Sequence, residues 1–143
     1  MNNLNFISPE IFISLSIMFL LILGVFKKDS SNLILNLSIG ILLIAGILIL
    51  NNSLDQTITL FSGSYIIDYL SSFMKILTIL GGAFVLSISV KYLKLFKIFL
   101  IEYPILILCS ILGMMVMISS NDLMVFYIGL ELQSLALYVL ASF

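Results

Sequence analysis

Histidine, arginine and tryptophan are all absent from this chain, and cysteine occurs once, as Cys109. A lone cysteine forms no internal disulfide and holds no iron-sulfur cluster, and without histidine the usual haem ligand is missing as well. Any redox cofactor must therefore lie on another polypeptide. Positive charge is also scarce, with six lysines against seven acidic residues, so no basic surface exists to neutralise a phosphate backbone and a nucleic-acid partner is excluded. The first residues, MNNLNFISPE, lack the basic segment and small-residue cleavage site of a signal peptide, and the first apolar stretch is expected to stay in the membrane.

What the chain has in abundance is apolar sequence. Of its 143 residues 62% are hydrophobic and 9% charged, against about 45–50% and about 25% in soluble domains. The fold class is therefore an all-α membrane protein. About five transmembrane helices are expected, over residues 9–26, 33–50, 68–91, 101–119 and 122–143 of a single transmembrane domain, since a hydrocarbon core of about 30 Å needs roughly 17–25 helical residues. Pro9 suits a first helical turn, and Glu10 beside it favours the positive end of the helix dipole. Lys27, Lys28, Lys91, Lys94 and Lys97 fall in the first and third loops. The positive-inside rule places those loops in the cytoplasm or matrix and the N-terminus on the outer side. The lipid bilayer is thus the first partner.

The outer loop 51–67 alternates around Ser62, Gly63 and Ser64, which fits either a β-hairpin or an irregular extended loop. Ser120 or Asn121 can cap the fifth helix, with Asp122 in its first turn. Gly81, Gly82 and Gly113 are flat spots where a neighbouring helix can approach closely.

Glu131 is the carboxylate that demands a reason. Placed roughly 13 Å into the fifth helix, it costs several kcal/mol unless protonated, paired or wetted. Tyr127, Ser134 and Tyr138 stand at helical spacing on its stripe, offering hydroxyl partners to a protonatable site. The alternative is a silent, protonated residue bonding to a neighbouring helix. Lys75 lies two turns below Asp68. Its stem is expected to snorkel toward Asp68, or else its charge meets a partner within the membrane. Glu102 and Tyr103 read as an anchor at the inner boundary.

Several motifs carry a family resemblance. Glu102-Tyr103-Pro104, the turn Ser120-Asn121-Asp122-Leu123 and the run Leu130-Glu131-Leu132-Gln133-Ser134 followed by Tyr138 resemble the antiporter-like membrane subunits of proton-pumping NADH:quinone oxidoreductase (respiratory complex I). The resemblance is closest to mitochondrial subunit 2, the counterpart of the bacterial N subunit, and Pro9, Glu10, Asp68, Phe73 and Lys75 agree more loosely. It implies the N-terminal part of an antiporter-like fold and a proton-translocating role for Glu131, to which the stripe adds Tyr127, Ser134 and Tyr138, and the third helix Lys75 and Asp68, as expected supporting residues. It further implies no cofactor in this chain, with FMN, iron-sulfur clusters and quinone bound by other subunits. The expected partners are other membrane-arm subunits and a second polypeptide carrying the remaining helices of a split subunit, because the family's later helices and their lysines have no counterpart here. The expected location is the mitochondrial inner membrane with the N-terminus toward the intermembrane space, or alternatively a bacterial plasma membrane. A component of a multisubunit cation/proton antiporter and a non-catalytic scaffold are the competing functions.

Overall fold

The computed structural model describes residues 2–26, 31–52, 57–95 and 101–142. Helix α1 spans Ser8–Phe26, α2 Ser31–Asn51, α3 Tyr69–Leu95, α4 Glu102–Ile118 and α5 Leu123–Ser142. Four of these are long and apolar enough to cross a membrane, and α4 is shorter at 17 residues, about 25 Å of helix. Lys27, Lys28 and Lys97, on which the orientation expectation leans, lie outside the described residues.

The core runs between α1, α2, α3 and α4, where Ile13, Leu20, Ile34, Leu42, Leu86, Leu108 and Met115 are closed off. α4 holds the middle of the bundle, with eight buried residues along its length. Close backbone approach binds it to α5. A Cβ on Gly113 would lie 2.7 Å from the Gln133 nitrogen and 2.8 Å from the Gly129 carbonyl oxygen, so this crossing requires glycine. Gly82 is likewise filled by Ile111 of α4, whereas Gly81 faces open space. Near the far end of α3, the Ser89 and Tyr103 hydroxyls meet at 2.8 Å and join α3 to α4.

The loop after α2 does form a hairpin. Strands β1 (Ile58–Leu60) and β2 (Tyr65–Ile67) pair antiparallel with Ile58 opposite Ile67, and the turn between them puts Phe61, Ser62 and Gly63 at positive φ. The turn joining α4 to α5 is stitched to it. Ile66 donates its N–H to the Ser119 carbonyl at 2.8 Å, Asn121 N–H bonds the Ser64 carbonyl at 2.9 Å, and the Asn121 amide donates to the Gly63 carbonyl at 2.7 Å. The expected capping role of this turn therefore needs correcting: the Asn121 amide nitrogen binds the hairpin, and the Ser120 hydroxyl turns back to the Met117 carbonyl. Backbone groups at a chain reversal need partners, and here two reversals supply them to each other.

Candidate functional site: two carboxylates in the helical bundle

Beneath the hairpin, three polar side chains from three separate elements close around one carboxylate oxygen. Glu10 in the first turn of α1 is 6% exposed, Tyr65 on β2 is 6% exposed and Lys75 in the second turn of α3 is 2% exposed. The Lys75 ammonium donates to Glu10 Oε1 at 2.5 Å, and the Tyr65 hydroxyl donates to the same oxygen at 2.8 Å. Lys75 Nζ also reaches the Tyr65 oxygen at 3.3 Å and lies 5.2 Å from its ring centroid. Burial, and then the neighbouring Glu10 charge, push the Tyr65 phenol far up from its ordinary value, with the Ser119 hydroxyl working the other way. Tyr65 is thus a neutral O–H donor.

This arrangement overturns the expected snorkelling of Lys75 toward Asp68. Asp68 is committed to its own helix end: its Oδ1 accepts the Ser71 N–H at 2.7 Å and the Ser71 hydroxyl accepts the Asp68 N–H at 2.9 Å, a reciprocal cap. Snorkelling would leave Glu10 buried and unpaired, at a cost of several kcal/mol. Pairing wins. The signal for it was in the sequence: α1 and α3 start on the same side of the bundle, and each carries one opposite charge within its first two turns. Sequence reasoning treated Glu10 as a dipole partner alone and missed it.

The second carboxylate has a different setting. Glu131 lies eight residues into α5, about 12 Å along it, and is half-buried. Ser134 is brought to it, but its hydroxyl donates to the Glu131 carbonyl at 3.2 Å rather than to the carboxylate. Tyr127 and Tyr138 are 62% and 69% exposed, so their ring faces look outward from the bundle. Among the described residues of α5 only Gly129 and Ala136 are buried. The ion pair that the described residues show is that of Lys75 with Glu10; Lys75 and Asp68 are not brought to Glu131.

These features define a polytopic helical membrane protein that carries ionisable side chains within its spans, one set closed and one open to the side. No family model matches the chain. Relatives do: it is 81% identical over all 143 residues to NADH-quinone oxidoreductase subunit N of Pelagibacter ubique. Proteins of the same description from Paramagnetospirillum magneticum and Bartonella bacilliformis are 41% and 46% identical over 94% and 95% of the chain. The chain belongs to the NADH-quinone oxidoreductase subunit N family and corresponds to its N-terminal portion. It spans 30% of the length of the Pelagibacter relative and 28% of the other two.

Proposed function

We propose that this chain is part of a membrane-arm subunit of a proton-pumping NADH:quinone oxidoreductase and that Glu131 contributes the acidic half of a proton-translocation site. The 81% identity across the whole chain to a subunit N carries this reading. The setting of Glu131 supports it. A carboxylate in apolar surroundings is neutral when protonated and needs a countercharge or water when it is not, so its proton occupancy follows whatever approaches the open face of α5. Tyr127 and Tyr138 stand on that face as hydroxyl partners, and Ser134 holds the backbone at Glu131. Lys75 and Asp68 act elsewhere, at the hairpin end.

The approaching group belongs to chain beyond these 143 residues, on the same or on a second polypeptide, and the size of the product in the membrane decides between them. The hairpin end faces the outer aqueous phase. The relatives described above are bacterial, which supports a bacterial plasma membrane over a mitochondrial one. Electron carriers and quinone are held by other subunits.

Glu131→Gln tests this in the assembled complex reconstituted in lipid vesicles. The expected result is a loss of most proton pumping with the complex still assembled. Undiminished pumping would end the proton-site role and leave a scaffold, and loss of the chain with NADH-driven quinone reduction intact would favour a separate cation/proton antiporter.

A further inference from the structure

Two buried side-chain oxygens have no hydrogen-bond partner among the described residues, Glu10 Oε2 and Ser119 Oγ. Both lie beside one phenol. Glu10 holds the Tyr65 hydroxyl through its other oxygen, and Ser119 is pinned beside Tyr65 by the Ile66 N–H on its carbonyl at 2.8 Å and by the bridge between Tyr65 and Ser120. A buried polar atom left unsatisfied costs about 1–3 kcal/mol, and proteins meet such groups with ordered water where 2–4 polar partners converge. Here a carboxylate, an ammonium, a phenol and a hydroxyl converge. Ser119 also lines a cleft of about 350 Å³, together with Ile66 of β2, Asp68, Ser71 and Ser120. Ser119 belongs to both the cleft and the cluster.

We propose that Glu10, Tyr65, Lys75 and Ser119 form a water-binding proton-exchange site that opens to the hairpin-side aqueous phase, separate from Glu131. A water molecule bound there donates to Glu10 Oε2 and takes a hydrogen bond from the Ser119 hydroxyl, which gives both orphaned oxygens a partner. Protons exchange by a balanced step: a hydronium arriving through the cleft releases one proton to Glu10 Oε2 and remains as water, and the carboxylic acid later returns that proton to water. Lys75 stays bonded to Glu10 Oε1, which leaves Oε2 to the water. The groups facing Glu10 are Tyr65 from β2 and Lys75 from α3, with Ser119 at the end of α4 beside Tyr65 and Asp68 occupied by its cap.

Infrared difference spectroscopy on the lipid-reconstituted assembly, transferred from H2O to D2O, reads the site directly. The band lost in Glu10→Gln assigns the carboxylate, and its deuterium shift is expected within seconds. Ser119→Ala should slow that shift about tenfold, the loss of roughly one hydrogen bond's worth of water binding. A shift no faster than exchange of the core amides of α1 and α3 would mean a dry ion pair and overturn the proposal. Should Ser119→Ala fail to assemble, Ser119→Cys in a Cys109→Ala background decides: a small hydrophilic thiol reagent labels it from the hairpin side, while Ser38→Cys, buried in α2, stays unlabelled. Equal labelling of the two would also overturn it. Both measurements read Glu10 and Ser119 themselves rather than transport, so their failure is distinct from failure of the Glu131 reading.

Discussion

Glu10 of α1 and Glu131 of α5 solve the same problem in opposite ways. Glu10 finds its countercharge inside these 143 residues, from a lysine 65 positions away, beside the Tyr65 hydroxyl of the hairpin. Among the described residues Glu131 finds only the hydroxyl of Ser134, turned to its backbone, and a face of α5 left open. A carboxylate paired across two helices fixes them relative to one another, whereas one without a countercharge leaves its helix face unpartnered. Glu10 thus keeps one oxygen for Lys75 and Tyr65 and has the other left over, whereas Glu131 has no countercharge among the described residues.

That contrast can be broken by substitution. Lys75→Met strands a buried carboxylate and should cost the most, about 3–5 kcal/mol, read as a lower melting temperature of the reconstituted assembly. Adding Glu10→Gln to it should restore much of the loss. Glu131→Gln, by comparison, should leave melting within about 0.5 kcal/mol; an equal loss at both sites would erase the distinction drawn here. Next in size, Gly113→Ala forces α4 and α5 apart, because a Cβ meets backbone at 2.7 Å, and should cost about 1–3 kcal/mol.

Tyr65→Phe removes one hydrogen bond to a charged acceptor and should cost about 1.5–3 kcal/mol at neutral pH. The sign of its pH dependence follows from the raised phenol. Above about pH 10 the unfolded tyrosine releases a proton that the folded one keeps. The stability Tyr65 adds is therefore complete below that pH and lost as pH rises beyond it. Tyr65→Phe should flatten the alkaline fall in melting temperature. The smallest effect is expected at Tyr138→Phe, within about 0.5 kcal/mol, since the ring is largely exposed.

Much of this was legible in the sequence because the bilayer leaves few choices. Apolar runs of spanning length become helices, and α1, α2, α3 and α5 follow from them. The hairpin was one of two readings, since alternation around Gly63 fits an extended loop equally until the turn at Ser119 and Asn121 supplies partners from elsewhere in the chain. The pairing of Glu10 with Lys75 escaped for a related reason. Spacing within one helix reveals a stripe, but contact between α1 and α3 depends on how helices are rotated about their axes, and periodicity says nothing of that. Glu131 could be singled out from its depth alone, but what meets the open face of α5 is not written in its spacing.

The pairing of Glu10 with Lys75 also sets an order of events during synthesis. With 65 residues between them, and elongation at about 5–20 residues per second, Glu10 leaves the ribosome roughly 3–13 s before the lysine that neutralises it. Helix α1 is therefore made several seconds before the partner that its buried carboxylate needs, and its final packing waits on α3. Docking of the hairpin comes later still, because the turn at Ser119 and Asn121 that holds it is made after α4.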